Sequence, residues 1–414
     1  MIPAGAPTAL SRRQVLSAAP HRPMFLAGAV QLVLAMGLWL AELAGRSGLV
    51  LDAPLPMVIA STWAHALLML YGVFAFFMYG FLFTVFPRWM GGPEIERGRY
   101  MAVATLAALG MALVYAGLFS HRVVLVLGLA VFLVAWAAAV AVLLAAYRAG
   151  RKRGVHERLL LLALGVGAVG FACFIYGVVV GGAYPFLIAR TVGLWGFLLP
   201  VLLTVTHRMI PFFTQSALPF GAVPRPAWSL ALFVGGSLLH GAFELLALPA
   251  ARLPVDLALA GVALHHTVVW GLTRSFASRL LAMLHVAFLW FGIGMALYAL
   301  DAALVLAGGG SLGRAPLHAL GIGFITGTLI AMATRVTLGH SGRALAVQAP
   351  TWYLFLGISA VALLRIAAEL APFPASRTLN LLAAAGWLAC LLPWAARYAP
   401  MYLRARRSPA GLII

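Results

Sequence analysis

Residues 123–146 read VVLVLGLAVFLVAWAAAVAVLLAA, a continuous run without a single charged, hydroxyl or amide side chain. A helix needs about 20 consecutive apolar residues to cross a bilayer. Only helices and closed barrels satisfy their backbone hydrogen bonds in lipid. Because this run is continuous and does not alternate with polar residues, it predicts a membrane-spanning helix.

The rest of the 414-residue chain has the same character. Hydrophobic residues make up 64% of it and charged residues only 9%, whereas soluble proteins carry about 25% charged residues. Because so few charged residues cannot cover a water-exposed surface, the composition predicts an all-α, polytopic membrane helical bundle. About twelve transmembrane helices are expected, at residues 24–43, 57–85, 101–119, 123–146, 159–182, 186–206, 228–248, 256–273, 280–305, 316–334, 352–370 and 379–396. No internal sequence repeat is evident, and the spacing would permit a six-plus-six organisation.

The loop charges predict the orientation. The formal net charge is +19, and with the amino terminus inside, the inner loops hold 21 Lys and Arg residues against five in the outer loops. This asymmetry follows the positive-inside rule and predicts that both termini are cytoplasmic. The expected organisation is a cytoplasmic segment 1–23, one transmembrane domain 24–396 and a basic cytoplasmic tail 397–414. Basic residues in short runs between apolar stretches favour contact with membrane lipid over nucleic acid.

Few ionisable residues fall within the predicted spans, and each is a functional candidate because burial in lipid is costly. Four carboxylates lie toward the outer half: Glu42, Glu244, Asp301 and Glu369. Arg190 and Arg365 lie on the same side and could pair with them. Structural ion pairs are the simpler interpretation, and a proton or anion path from outside is the alternative.

The histidines separate into two levels by their depth in the predicted spans. The outer level contains His65, His240, His265, His266 and His318, and the inner level contains His207 and His285, with His21 and His340 at its edge. His318 and His340 are some 30 Å apart at about 1.5 Å per helical residue, so they cannot share one metal. Imidazole is a common ligand of haem iron, copper and zinc, and a site in a bundle is built from facing helices.

Several motifs resemble one known family. His318-Ala-Leu-Gly-Ile-Gly is followed by Met332-Ala-Thr-Arg-Val-Thr-Leu-Gly-His-Ser-Gly-Arg343. Further matches occur in order along the chain: His21-Arg-Pro, the stretch GFLFTVFPRWMG at residues 80–91, RMIPFFT at residues 208–214, and Leu284-His285. Together they resemble the NnrS family, whose members are polytopic membrane proteins with haem and copper associated with the bacterial response to nitric oxide.

Two positions depart from the family pattern. Leu67 and Leu68 stand where the family usually has a second histidine and a glutamate, and His207 replaces a usual glycine. If the missing histidine binds metal in the family, this chain holds fewer metals or recruits His207, His265 or His266.

The resemblance implies a protein of nitric oxide response, metabolism or denitrification in the bacterial inner membrane. The resemblance also implies haem b as a cofactor, with copper as an additional candidate, and membrane lipid and a respiratory or denitrification complex as candidate partners. The expected ligand pairs are His65 with His318 or His266, and His285 with His340 or His207. Arg335 and Arg343 could hold haem propionates or lipid phosphate. The expected metal ligands are His65, His285, His318 and His340, and the wider cofactor-binding set adds His266, Arg335 and Arg343.

No catalytic residue can be assigned from the sequence. No nucleophile–base pair or carboxylate dyad is recognisable, so any turnover would be redox chemistry at a bound metal. Two alternatives stay open: a twelve-span secondary transporter and a non-catalytic partner subunit of a respiratory complex.

Overall fold

The computed structural model describes residues 11–48, 52–219 and 221–406. Residues 1–10 of the predicted amino-terminal segment and 407–414 of the predicted tail lie outside the described residues. The regular structure in the described ranges is entirely helical, with no strand. This confirms the predicted all-α class.

In the described part of the chain, eleven helices are long and apolar enough to cross a membrane. Numbered by their place in the chain, they are His21–Ser47 (span 1), Ser61–Trp89 (span 2), Arg97–Phe119 (span 3), Arg122–Ala149 (span 4), Val155–Val180 (span 5), Tyr184–Ala217 (span 6), Ala227–Leu245 (span 7), Arg279–Leu306 (span 9), Ala315–His340 (span 10), Ala349–Leu370 (span 11) and Ala375–Leu403 (span 12). The more polar helix Pro249–Val269 takes the place of span 8. The short helices Arg12–Leu16 and Leu272–Ser275 precede spans 1 and 9.

The two ends of the described chain meet on one face of the bundle. The Arg22 guanidinium donates to the backbone carbonyls of Tyr402 at 3.3 Å and Arg404 at 3.0 Å. A chain that enters and leaves a bundle on the same face crosses it an even number of times. Pro249–Val269 is therefore a twelfth crossing, as the sequence predicts, and the face that carries Arg22 and Arg404 is here called the inner face.

Span 8 begins earlier than predicted. The helix runs over Pro249–Val269 and not 256–273. Arg252, which the sequence assigns to the preceding outer loop, lies within the helix and is paired inside the bundle. Arg252 lies 2.8 Å from Asp301 near the outer end of span 9. At the other end, Trp270 Nε1 donates to the carbonyl of Pro224 in an inner loop at 2.9 Å. The helix therefore runs from the outer face to the inner face.

Every fourth span lies at the centre of the bundle. Spans 2, 6 and 10 have 83%, 78% and 78% of their membrane window buried, span 9 has 72%, and the other spans that meet the hydropathy and length criteria have 44% or less. Span 4 packs on span 5, span 8 on span 9 and span 12 on span 1. The three most buried spans are therefore four apart along the chain.

Each central span contains a π-helical segment. These segments are Leu68–Val73 in span 2, Val192–Leu198 in span 6 and Ala319–Thr326 in span 10. The π-helix is rare and occurs frequently at functional sites. The three segments lie in the outer half of the bundle and surround one cavity.

Candidate functional site

A cavity of about 370 Å³ lies between the central spans in the outer half of the bundle, and His65 and His318 both line it. His65 precedes the π-helical segment of span 2, and His318 immediately precedes that of span 10. The structure therefore brings together two histidines that are far apart in sequence, one of the pairs that the sequence left open.

Both rings are held in fixed orientations. His318 Nδ1 lies 2.9 Å from the backbone carbonyl of Arg314, and because a carbonyl only accepts, Nδ1 carries the proton and Nε2 carries the lone pair. The His65 ring stacks on Trp39, with centroids 4.1 Å apart and planes 17° apart. His65 Nδ1 is buried and has no hydrogen-bond partner in the described part of the chain. Buried polar atoms are seldom left unpaired, so this nitrogen requires an explanation.

The rim of the cavity is strongly basic. None of the described lining residues is a carboxylate. Four of them are arginines: Arg46, Arg190, Arg314 and Arg365. Three of these arginines are paired with glutamates that do not line the cavity, Arg46 with Glu42 at 2.7 Å, Arg190 with Glu244 at 2.8 Å and Arg365 with Glu369 at 2.6 Å. The pairs orient the guanidinium groups while the cavity itself retains a positive lining.

Arg190 connects this cavity to a buried polar network. Its partner Glu244 also accepts a hydrogen bond from Trp195 Nε1 at 2.8 Å, and Trp195 stacks on the ring of His240 with centroids 3.6 Å apart. His240 Nδ1 contacts a carboxylate oxygen of Asp256 at 2.5 Å, and both side chains are fully buried. This network ties spans 6, 7 and 8 together beside the cavity.

His266, the alternative partner for His65, lies elsewhere. Because span 8 ends at Val269, His266 is within its last turn at the inner end, and the expectation of an outer position is wrong. Its ring contacts Trp270, with centroids 4.9 Å apart. Neither ring nitrogen has a hydrogen-bond partner among the described residues. His266 therefore does not contribute to the outer cavity.

The inner histidines have different neighbours from those expected. His340 packs against His21, with ring centroids 4.6 Å apart, and its Nδ1 lies 3.0 Å from the carbonyl of Val336. His285 Nε2 instead meets the hydroxyl of Thr214 at 3.0 Å. The contacts of the two rings are thus with His21 and Thr214, and neither is with the partner expected from the sequence.

His207 also has a partner of its own. Its Nδ1 lies 3.1 Å from His156 Nε2, and its Nε2 lies 3.2 Å from the Ser229 hydroxyl. Neither of these contacts involves His285, the partner expected from the sequence. The histidine that replaces the family's glycine is bound within a local hydrogen-bond chain at the inner face.

The two arginines of the span 10 motif lie at the inner end, away from the outer cavity. The Arg335 guanidinium lies 3.6 Å above the ring of Phe213. Arg343 lines an inner-face pocket of about 380 Å³ together with Gln348 and Arg397. The sequence predicts this position at the inner end of span 10. It separates both arginines from His65 and His318.

Leu67 and Leu68, which replace the family's histidine and glutamate, are buried in the core. The π-helical segment of span 2 starts at Leu68. Apolar side chains thus fill the positions where a second ligand from span 2 would stand.

Sequence reasoning missed the π-helical segments, Trp39 as the neighbour of His65, and His21 as the partner of His340. A glycine occurs in each of the three π-helical segments, and this is the signal that the sequence offers. The glycines are Gly72, Gly193, Gly196, Gly321 and Gly323. The hydrogen-bond register within an apolar helix cannot be read from hydrophobic periodicity, because every position is apolar.

Comparison with known proteins supports the resemblance seen in the motifs. The family model described as NnrS protein matches residues 15–406, nearly the whole chain. No curated protein matches this sequence. The match covers all twelve spans and both motif histidines of span 10, so this multi-pass membrane protein belongs to the NnrS family.

Proposed function

We propose that this protein is a haem-binding component of the nitric oxide response in the bacterial inner membrane. The outer cavity would hold one haem b, and His65 and His318 would supply its imidazole nitrogens. The observation that carries the proposal is the meeting of these two histidines, from spans 2 and 10, in one cavity with a basic rim.

The nitrogen donors fit haem iron. His318 already donates its Nδ1 proton to Arg314, so its Nε2 is the basic nitrogen. In metal-binding histidines, a hydrogen bond donated by the ring nitrogen that does not bind the metal fixes the tautomer and raises the basicity of the other nitrogen. The unpaired, buried Nδ1 of His65 is explained if that ring has a partner that is not part of the protein.

The lining also fits a porphyrin, which is a flat apolar ring with two carboxylates. Trp39, Trp63 and Trp387 line the cavity together with aliphatic side chains. Ligand pockets of this kind are mostly apolar with a few polar groups that set the orientation. Arginine binds carboxylates through two parallel hydrogen bonds, so Arg314 and Arg365 are suited to hold the propionates.

The protein contributes placement and electrostatics at such a site. When bound, haem iron held by both histidines would supply a one-electron redox couple, and it would offer a position to a diatomic ligand such as nitric oxide only when one imidazole is displaced. Trp39 holds the His65 ring in place, and the glutamate partners hold Arg46, Arg190 and Arg365 at the rim. The apolar wall limits water around the site.

The side chains of this chain do not offer copper a comparable set of ligands. Over the ranges that the structure describes, no group of three or more His, Cys, Asp or Glu side chains is close enough to hold a metal ion. Leu67 and Leu68 stand where the family would offer additional donors. The proposal therefore assigns no copper site to this chain.

A visible spectrum of the purified protein tests the proposal. The full-length chain is expressed with haem supply, purified in detergent, and recorded as reduced minus oxidised, with haem and copper content measured on the same sample. A b-type band at close to one haem per chain is expected. Protein that purifies folded without haem and takes none up would overturn the proposal, and gradient-driven uptake by such protein in liposomes would favour a transporter.

A further inference from the structure

A second, apolar pocket lies at the centre of the bundle, on the inner side of the outer cavity. Its volume is about 50 Å³. Spans 2, 6 and 10 enclose it, with Phe77 and Phe81 from span 2, Val201 and Val205 from span 6, and Met332 from span 10. Every residue that lines it is less than a tenth exposed. Buried side chains therefore form the walls of the pocket.

The lining almost excludes polar molecules. Thr328 supplies the one hydroxyl among the lining side chains, and that hydroxyl has no hydrogen-bond partner within the described ranges. A buried water needs two to four polar partners in addition to about 10–15 Å³ of space. The pocket offers the space and a single partner, so water and ions are unfavourable occupants.

The pocket adjoins the outer cavity. The ring of Phe74 lines both spaces, and it follows directly after the π-helical segment of span 2. The apolar pocket and the space that His65 and His318 share are therefore neighbours, with Phe74 in the wall of both.

We propose that this central pocket binds a small, uncharged gas molecule and holds it beside the outer cavity. Internal apolar cavities take up xenon and small apolar molecules, which need no hydrogen bonds. The pocket between the three central spans has the size, the apolar lining and the neighbouring cavity that this role requires. That the natural gas is nitric oxide rests on the proposed function, whereas gas binding itself does not.

Xenon is the probe, because it reports apolar cavities without any haem chemistry. Crystals of the full-length protein are pressurised with xenon, and its anomalous signal is measured. A bound atom is expected among Phe77, Val205 and Met332. Ala333→Val adds two methyl groups to the lining and is expected to reduce xenon occupancy at least severalfold. Ala116→Val, the same change at an exposed position of span 3, is the matched control and keeps full occupancy.

A second variant acts in the opposite direction and covers the case in which Ala333→Val fails to fold. Leu202→Ala enlarges the pocket and is expected to increase the xenon signal. Absence of xenon from the wild-type pocket, or equal occupancy in all variants, overturns the inference. The haem spectrum of the same preparations keeps the two proposals separate, since xenon binding without haem, or haem without xenon, removes only one of them.

Discussion

His318 donates its Nδ1 proton to the backbone carbonyl of Arg314, one helical turn earlier, at a distance of 2.9 Å. His340, at the other end of the same span, makes the equivalent bond to Val336 at 3.0 Å. In both cases a backbone carbonyl four residues earlier accepts the bond and so fixes the tautomer. Each ring therefore presents Nε2 as its basic nitrogen, but only His318 presents it within the outer cavity.

Removing either cavity histidine should remove haem. His65→Gly and His318→Gly are each expected to lower haem content at least tenfold, because one of the two imidazole nitrogens is lost. Added imidazole should restore much of the spectrum by filling the space that glycine leaves. The measurement is the haem-to-protein ratio after gel filtration.

The control is His265→Gly, because His265 is exposed on span 8 and lies at the inner end. It should retain full haem content. Equal haem content in the His65, His318 and His265 variants would show that the ligands lie elsewhere.

The rim arginines should determine how tightly haem is held. Arg314→Gln is expected to speed haem transfer to apomyoglobin by about tenfold or more, since a charge-assisted hydrogen bond contributes roughly 1.5–3 kcal/mol. Arg335→Gln should leave this rate unchanged, because Arg335 lies over Phe213 at the inner end. Faster haem transfer from Arg335→Gln, together with an unchanged rate from Arg314→Gln, would place the propionates at the inner face.

The buried pair of His240 and Asp256 should stabilise the fold strongly. Both side chains are fully buried, and removing one member of a buried pair costs about 3–5 kcal/mol. Asp256→Ala is expected to lower the free energy of unfolding in detergent by about 3 kcal/mol. Denaturant unfolding followed by circular dichroism measures it.

A matched exposed pair provides the comparison. Arg88 and Glu94 lie 3.1 Å apart with most of both side chains exposed, and such pairs contribute about 0–1 kcal/mol. Glu94→Ala should therefore change stability little. If the double variant His240→Phe/Asp256→Leu recovers stability, the cost in Asp256→Ala comes from the charge left unpaired.

Close packing of spans 3 and 4 depends on Gly117. A Cβ there would lie 2.2 Å from the backbone nitrogen of Leu125, and backbone cannot move aside as a flexible side chain can. Gly117→Ala should destabilise the protein by about 1–3 kcal/mol. Gly98→Ala, in the same helix with open space around its Cβ position, should be neutral or stabilising by up to about 1 kcal/mol. Thermal unfolding of the two variants distinguishes a packing effect from a general effect of glycine.

The sequence predicts the spans well where they are purely apolar and less well where they contain charge. Span 4 was expected at 123–146 and occupies Arg122–Ala149. Span 8 starts seven residues earlier than predicted, at Pro249, because Arg252 resembles a loop residue until its partner Asp301 in span 9 is known. Hydropathy reports the average environment of a segment and contains no information about specific pairing.

The site was predictable in part. Depth along each span placed His65 and His318 at one level, and the family motif marked His318. The same reasoning could not choose between His318 and His266, since rotation of a helix and its neighbours in the bundle leave no trace in an apolar sequence. It also gave His285 and His340 as a pair, whereas Thr214 and His21 are their neighbours.

Composition and span length by themselves determined that this chain is a polytopic helical membrane protein, because the bilayer requires long apolar helices, and loop charge predicted its orientation. Which spans lie at the centre, where the helices adopt π geometry and which histidines share a cavity were decided only by the tertiary structure. These features depend on side-chain contacts between spans that are distant in sequence, and lipid-compatible residues look alike whether they face lipid or another helix.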